Sequence, residues 1–308
     1  MKIGLVIIGL GGISLEYDLK NTASKIGNRE SHVKSVLDDD SFLLLAGVDL
    51  NDVARRKLAQ NFGIPAYPTL GSIPRDILNK TDAFIVATPT PTHFQILKEI
   101  SEVKVNPWIL CEKPMGDSLN SALKISKIMD TDKLLVNYTR RFSNDIKMCE
   151  KAFKSFIEKG ATNSIKITCE VFGGSLRTGS HFIDLLNSWF PNSFHEIEFE
   201  KSYFEPTNTP QIFIRFGRQQ VIYMDNDSNS DESYGILRVE DQGHSVSYVR
   251  DKLIFKQNSK EKQCVVHASQ SQTLEAFKTL ITSEGTSNKS NYENAVKVHQ
   301  IIDSISLL

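Results

Sequence analysis

Two short segments contain residues whose types and spacing suit a nucleotide-binding site with chemistry beside it. In the first, an apolar run over residues 3–8 leads into Gly9, Gly11 and Ser14. A glycine turn at the end of a strand lets backbone N–H groups approach a pyrophosphate where a helix begins. Ser14 stands where glycine or alanine is usual, so a turn that binds no ligand is the alternative. The position at the head of an alternating strand–helix pattern favours a phosphate cradle.

The second segment, residues 109–114, places Glu112 and Lys113 at the end of another apolar run. An open parallel sheet carries its ligand-binding groups at the carboxyl ends of its strands. A lysine at such a strand end can hydrogen-bond a reacting hydroxyl and hold or relay its proton. A solvated surface lysine is the usual alternative, and the Lys-Pro context at a strand end favours the chemical role.

The acidic residue Asp49 follows directly after the apolar run at residues 42–48. An aspartate there can accept hydrogen bonds from the adenosine ribose hydroxyls and repel a 2′-phosphate, which favours NAD over NADP. Arg55 and Arg56 follow closely and leave NADP open. Asp49 lies 40 positions after Gly9, against about 20 in the common dinucleotide fold. This spacing predicts an extra surface loop or lid within residues 16–31.

The elements that must position these residues change character along the chain. Strand-like runs alternate with helical patterns over the first half, which predicts an α/β, Rossmann-type doubly wound parallel sheet. The second half is rich in strand-like runs separated by turn residues, with helical patterns at 179–189 and 292–308. It predicts an α+β domain with a large, mostly antiparallel sheet. We therefore expect a dinucleotide-binding domain at 1–140 and a substrate-binding and oligomerisation domain at 141–308.

Composition narrows the class of protein. A chain of 308 residues is long enough for roughly two domains. The net charge of −1 gives no basic field for nucleic acid. There is no apolar run long enough to span a membrane and no signal-peptide pattern, so we expect a soluble, cytoplasmic protein. The four cysteines lack a CxxC pair, which predicts reduced, mostly buried thiols and no metal site.

Taken together, these motifs resemble the glucose–fructose oxidoreductase/inositol dehydrogenase (Gfo/Idh/MocA) family. The resemblance runs nearly end to end and is carried by the glycine turn, Asp49 and four further segments, at residues 87–93, 112–114, 137–142 and 179–184. It implies an NAD(P)-dependent oxidoreductase that acts on a sugar, sugar acid, nucleotide-sugar or polyol. It also implies that the sheet of the second domain holds the small-molecule substrate on its inner face and forms a homodimer or homotetramer.

The resemblance assigns roles residue by residue. It implies a cofactor site made of Gly9, Gly11, Gly12, Ile13, Asp49, Leu50, Thr88, Pro89, Thr90, His93, Glu112 and Lys113. The residues that it assigns to the substrate are Lys113, Tyr138, Arg141, Arg177 and His181. Two of the residues in these lists have ordinary structural alternatives. His93 could simply start a helix, and Arg141 could form an ion pair.

The proton chemistry is assigned to Lys113, His181 and Asp184. His181 and Asp184 are three residues apart on a predicted helix, so the aspartate could orient the imidazole. Many dehydrogenases of the family have an aspartate at the position of Arg177. An arginine in a water-poor pocket would bind a substrate carboxylate or phosphate, whereas an arginine pointing into solvent would not. A non-catalytic, cofactor-sensing protein is the alternative function, although the presence of Lys113 and His181 argues against it.

Overall fold

The structure is a computed structural model that describes residues 2–16, 31–159, 165–190, 200–204, 209–216, 219–226, 234–283, 288 and 290–307. The chain divides into two compact units. The first consists of Met1–Phe142 and Ser269–Val296, and the second of Ser143–Ala268 and Lys297–Leu308. The sequence predicts two continuous domains that meet near residue 140. The structure differs in that a late segment of the chain belongs to the first unit.

The first unit contains a six-stranded parallel sheet, and this confirms the predicted Rossmann-type α/β fold. The strand order is β3-β2-β1-β4-β5-β6. The strands are β1 (Ile3–Ile8), β2 (Phe42–Val48), β3 (Ala66–Tyr67), β4 (Ala83–Val86), β5 (Trp108–Cys111) and β6 (Leu134–Val136). Residues of β1, β4 and β6 are buried throughout. Burial on both faces explains why these strands appear in the sequence as continuous apolar runs.

Helices cover this sheet and complete its core. They are α1 (His32–Leu37), α2 (Asp52–Phe62), α3 (Arg75–Lys80), α4 (His93–Val103), α5 (Leu119–Ile125) and α8 (Gln270–Thr282). The core cluster of β1 includes Leu274, Phe277 and Leu280 of α8 together with Val33 and Val36 of α1. The apolar side chains of α8 therefore fill part of the first unit, which explains why residues 269–296 return to it.

The second unit contains an eight-stranded sheet in the order β14-β13-β12-β11-β7-β10-β9-β8. Its strands are β7 (Lys166–Phe172), β8 (Glu200–Phe204), β9 (Thr209–Phe216), β10 (Gln219–Asn226), β11 (Tyr234–Asp241), β12 (His244–Val249), β13 (Lys252–Gln257) and β14 (Lys260–Val265). Neighbouring strands are antiparallel except β7 and β10, which are parallel. The predicted large, mostly antiparallel sheet is confirmed.

The two faces of this second sheet differ in what covers them. Helices α6 (Asn144–Lys159) and α7 (Ser180–Trp189) belong to the second unit. The ring of Phe182 on α7 lies so close to Gly235 of β11 that a Cβ there would come within 2.3 Å of it. We call this the inner face. The final helix, α9 (Tyr292–Ser306), contributes its first turn to the first unit and the rest to the second.

The opposite, outer face carries side chains that are mostly half-buried. A row across five strands is formed by Phe213, Ile222, Thr168, Arg238 and Ser247. The row is apolar towards β9 and β10 and polar towards β12. A depression of about 690 Å³ opens on the polar side, lined among others by Arg238, Ser247 and His244.

Several predicted features fall partly outside the described residues. The extra stretch at 16–31 is described only at its two ends. Of the acidic stretch at residues 225–232, only Asp225 and Asn226 are described, and both belong to β10. Within the described part of the chain, no helix is both long and apolar enough to cross a membrane.

The packing of α8 against the first sheet predicts a large effect of one truncation. Phe277 is fully buried, so Phe277→Ala should lower the free energy of unfolding of the first unit by about 3–5 kcal/mol. Urea unfolding followed by the fluorescence of Trp108, in a Trp189→Phe background, measures this unit. Val105→Ala is the matched control, because Val105 is 90% exposed. An unchanged Trp108 transition in Phe277→Ala would show that α8 does not stabilise the first unit.

Candidate active site

The last residues of strands β1, β2, β4, β5 and β6 are paired with one another, so these strands end at the same level of the sheet. Ile8 pairs with Val48 and Val86, Val86 pairs with Cys111, and Cys111 pairs with Val136. The residues that come next in the chain therefore lie side by side along the carboxyl edge of the sheet. They are Gly9, Asp49, Ala87, Glu112 and Asn137. The structure thus brings together the cofactor-site residues that the sequence places at four separate strand ends.

The glycine turn begins this edge, and its two key glycines have different reasons to be glycine. Gly9 has a φ of 93°, and a Cβ there would come within 2.6 Å of the backbone of Ala87. A Cβ at Gly11 would meet nothing within 4 Å. Ser14, at the third position of the motif, is fully buried. Gly9 is therefore required by the fold, whereas Gly11 leaves open space of the kind that a bound pyrophosphate occupies.

The residues after Gly11, which include Gly12 and Ile13, form a π-helical turn over Gly12–Glu16. Leu15 and Ser14 donate their backbone N–H groups to the carbonyl of Gly11 at 2.9 and 3.2 Å. The first N–H groups of a helical turn have no acceptor within that turn and are suited to an anion. The predicted phosphate cradle stays a prediction, which the open position at Gly11 and the start of a helical turn fit.

Asp49 connects the glycine turn to the end of β2. Its Oδ2 accepts a hydrogen bond from the backbone N–H of Leu10 at 2.7 Å, and its Oδ1 accepts one from Asn51 at 2.8 Å. Because each carboxylate oxygen has two acceptor sites, both retain capacity for a ribose hydroxyl. Asp49 is half-buried, and the neighbouring Leu50 is 82% exposed. This geometry fits the role predicted for Asp49.

The two arginines that leave NADP open both contact Asp52. Arg55 donates from Nη2 to Asp52 at 3.0 Å and from Nη1 to the carbonyl oxygens of Asp49 and Leu50 at 2.8 Å. Arg56 forms an ion pair with the same carboxylate. Both guanidinium groups are therefore held by partners within this loop and helix.

The loop after β4 is held by His93. Its Nε2 lies 2.8 Å from the carbonyl oxygen of Thr88, and its Nδ1 lies 3.1 Å from that of Pro114 and 3.6 Å from the sulfur of Cys111. Burial lowers the pKa of His93, which favours the neutral ring. A neutral imidazole carries one N–H, so it donates to one of these two carbonyl oxygens at a time. His93 therefore connects two loops of the site from within the core.

The other predicted members of this loop lie near its surface. Thr88 and Thr90 are half-buried, and Pro89 between them is exposed. The hydroxyl of Thr92 donates to that of Thr88 at 2.7 Å. Together with the bond from His93, this contact fixes both the backbone and the side chain of Thr88. A cofactor contact of these three residues stays a prediction.

Glu112 is the centre of a buried polar cluster that the sequence analysis missed. Its Oε1 lies 2.8 Å from Nε2 of His32 and 2.6 Å from Nδ2 of Asn137, which also donates to Gln270 at 2.8 Å. These partners come from α1, the end of β6 and the start of α8. No local spacing in the sequence links them, because they are far apart along the chain.

The remaining predicted residues of the first unit lie at different depths. Lys113 is half-buried, and Pro114, joined to it by a cis peptide bond, is buried. Tyr138 is only 1% exposed, which places its side chain within the core. Arg141 is half-buried in a 3₁₀ turn over Thr139–Phe142. Substrate contacts of Tyr138 and Arg141 stay predictions.

In the second unit, the predicted residues lie in and after one π-helical turn, Ser175–Gly179. His181 and Asp184 are one turn apart on α7, where His181 is half-buried and Asp184 is fully buried. Arg177 is exposed in the turn. This exposure agrees with the alternative of an arginine that faces solvent, and a substrate contact of Arg177 stays a prediction.

A second hydrogen-bonded cluster, which the sequence analysis missed, holds this turn. The hydroxyl of Ser175 lies 2.8 Å from that of Tyr223 and also donates to Asp225. Burial raises the pKa of Tyr223 well above its usual value, so its phenol stays protonated. A Cβ at Gly179 would lie 2.4 Å from the Tyr223 hydroxyl. This close contact fixes the turn that precedes His181.

The carboxyl edge of the first sheet has features that suit a dinucleotide. Among the described residues, no group of three His, Cys, Asp or Glu side chains has the geometry of a metal site. The open space at Gly11 and the half-buried carboxylate of Asp49 lie on the same sheet edge. That arrangement suits a pyrophosphate next to a ribose.

Comparison with known proteins agrees with this geometry. Residues 3–139 match the profile of the Gfo/Idh/MocA oxidoreductase family, described as having an NAD-binding Rossmann fold. No curated protein matches the chain in sequence.

Several solved structures share the fold. A dehydrogenase from Clostridium difficile aligns with a TM-score of 0.71 and 15% identity over 100% of this chain and 99% of its own. A 3-ketoreductase from Actinomadura kijaniata, in complex with NADP and TDP-benzene, aligns with a TM-score of 0.72 and 11% identity over 100% of this chain and 98% of its own. An oxidoreductase from Agrobacterium radiobacter, in complex with NAD+, L-tartaric acid and magnesium, aligns with a TM-score of 0.67 and 12% identity over 98% of this chain and 95% of its own.

The different surroundings of the two glycines predict different effects of the same substitution. Gly11→Ala should leave the melting temperature unchanged but weaken NADH binding about tenfold or more, a loss of about 1.4 kcal/mol, because its Cβ would enter the open space. Gly9→Ala should lower the melting temperature, because its φ and the nearby Ala87 backbone exclude a side chain. Thermal unfolding and a fluorescence titration with NADH measure both. Wild-type NADH affinity in Gly11→Ala would remove the pyrophosphate from this position.

Proposed function

We propose that the chain transfers a hydride between nicotinamide and a hydroxyl or carbonyl group of a small, sugar-like molecule. The match of residues 3–139 to the Gfo/Idh/MocA family of NAD-binding oxidoreductases supports this proposal. The observation that carries the proposal is the row of strand ends that sets Asp49, the glycine turn and the Glu112-Lys113 pair along one edge. A sugar, sugar acid, nucleotide-sugar or polyol is the proposed substrate class, and NAD the preferred cofactor.

The proposed division of roles assigns proton chemistry to the protein. Bound nicotinamide supplies a site that takes or gives a hydride at the carbinol carbon. Lys113 hydrogen-bonds the reacting oxygen and stabilises its charge, and His181 accepts the hydroxyl proton when the alcohol is oxidised. Asp184, one turn along α7, orients the His181 ring. The fixed turn over Tyr223 supports a defined position for His181.

Two further parts of the proposal concern the substrate charge and the assembly. The complexes of the solved relatives with TDP-benzene and with tartaric acid support an acidic or phosphorylated substrate, although Arg177 is exposed here. We also propose a homodimer or a dimer of dimers formed through the outer face of the second sheet. The half-buried apolar side chains Phe213, Ile222 and Ile236 on that face support it, since apolar sheet surface is commonly buried in an interface.

The contacts of Asp49 and Arg55 predict the cofactor preference. NAD(H) should bind more tightly than NADP(H), because a 2′-phosphate would face the Asp49 carboxylate while both nearby arginines are paired with Asp52. Isothermal titration with both cofactors measures the preference. Asp49→Ser should reduce it by removing the negative charge, and Asp76→Ser, on α3, is the control for charge alone. Tighter binding of NADP(H) by the parent would contradict this role of Asp49.

The proposed proton chemistry predicts separate effects on binding and turnover. Lys113→Ala and His181→Ala should each lower turnover by on the order of 10²-fold or more, while NADH binding largely persists. Screening oxidation of sugars, sugar acids and nucleotide-sugars first identifies a substrate for the assay. Near-normal turnover in both variants would remove them from the mechanism. NADH binding without turnover of any substrate would favour the non-catalytic, cofactor-sensing alternative.

A further inference from the structure

Two opposite charges near the middle of the outer face of the second sheet have no ionic partner within the described part of the chain. They belong to Arg238 on β11 and Glu170 on β7, and both side chains are half-buried. On the same two strands, Lys166 and Glu240 stand directly opposite each other and form an ion pair at 3.8 Å. Arg238 and Glu170 therefore differ from their neighbours in that their charges are not matched.

The direction of the Arg238 side chain explains why the two charges do not meet within one chain. Its Nε donates to Oγ of Ser247, on β12, at 3.1 Å. Strand β11 lies between β12 and β7 in the sheet, so the guanidinium group leans away from the strand that carries Glu170. Arg238 lines the depression of about 690 Å³, and its two Nη groups have no acceptor among the described residues. They remain available to an acceptor outside the chain.

Glu170 interrupts an apolar row of the outer face. Its direct neighbour on β10 is Met224 and its direct neighbour on β11 is Ile236, and both are half-buried. Within the described ranges, the Glu170 carboxylate accepts no hydrogen bond. A carboxylate that becomes covered by apolar surface is unfavourable unless it is paired. An assembly that buries this face must therefore supply a cation to Glu170.

We infer that Arg238 of one copy of the chain binds Glu170 of a second copy, twice in each pair of copies, and that this reciprocal ion pair determines how the two outer faces dock. The two residues lie on adjacent strands, two positions apart in register, because Arg238 pairs with Thr168. A two-fold axis in the interface that crosses the line between them at its midpoint, at a right angle, places each opposite the other. A guanidinium group and a carboxylate then meet in the bidentate geometry that suits them. The inference rests on the assembly proposed above.

The presence of both charges on one face favours a second copy over a small ligand. A small anion in the depression would satisfy Arg238 and leave Glu170 unpaired, whereas a two-fold copy satisfies both. The same contact would cover the half-buried apolar side chains of this face, which include Phe213, Ile222 and Ile236.

Charge reversal tests the pairing in the full chain. In Arg238→Glu or Glu170→Arg, like charges would oppose each other across the interface, so each variant alone should have half the parent mass by light scattering at micromolar concentration. An equimolar mixture of the two variants should regain the parent mass, because the altered positions then oppose each other with opposite charges and the unaltered positions keep their pair. Lys80→Glu is the matched control, since Lys80 is exposed on α3 of the first unit, and it should keep the parent mass.

A double variant, with both reversals in one chain, separates pairing between copies from pairing within a chain. It should have the parent mass, as the mixture does. Native mass spectrometry, with an affinity tag on one variant only, should find one chain of each kind in the mixed complex. A double variant that regains the mass while the mixture does not would show that the two residues act within one chain, and the inference fails. Parent mass in both single reversals also overturns it.

Milder variants decide the question if the reversals do not fold. Arg238→Gln and Glu170→Gln should each weaken the association about 100-fold, and the two changes together should weaken it little more than either alone, because both remove the same pair. Independent, additive losses contradict the pairing. A monomeric parent overturns the proposed assembly and this inference with it, whereas an oligomeric parent with unresponsive variants overturns this inference alone. The proposed hydride transfer is measured separately, as turnover.

Discussion

The common register of the parallel strands is the constraint on which the first unit depends. In β2, the pairing with β1 skips one residue, Leu45, between Leu44 and Ala46. Because of this irregularity, Val48 rather than Gly47 pairs with Ile8, and Asp49 reaches the backbone N–H of Leu10. A slip of one residue in a strand turns every side chain to the opposite face. The hydrogen bonds between the strands therefore determine where the site residues lie along the edge of the sheet, independently of contacts between their side chains.

Two carboxylates on this edge show how the same group serves different purposes. Asp49 is half-buried and accepts hydrogen bonds from the backbone N–H groups of Leu10 and Asn51, so it holds the loop next to the predicted ribose position. Glu112 is buried and accepts from side chains of remote elements. The first depends on local backbone geometry, whereas the second depends on tertiary packing of helices from both ends of the chain.

Much of the first sheet could be predicted from the sequence. Strand β1 has the predicted bounds, residues 3–8, because a buried parallel strand is a continuous apolar run. Strand β14 was missed because its residues, from Lys260 to Val265, are all exposed and half of them are charged. Helix α6 was also missed, and α8 has a polar first turn that hides its amphipathic pattern.

The candidate site was predictable only where strand ends supply its residues. Asp49 and Lys113 could be located in this way, because topology alone determines their edge. His93 is found at the predicted loop, but its ring turns inward to the Thr88 and Pro114 carbonyls, which no local pattern reveals. His32 was missed because its partner lies 80 residues away, and a pairing of that range is set by packing rather than by spacing.

The return of residues 269–296 to the first unit has a consequence for how the chain folds as it is synthesised. Domains usually fold as units during synthesis, the N-terminal one first. Here the core of the Rossmann unit includes Phe277, and Gln270 joins its buried polar cluster. The ribosome must therefore release residues 143–268, most of the second unit, before the first unit can close. The emerging N-terminal segment exposes apolar surface throughout that time, which makes it a natural client for chaperones.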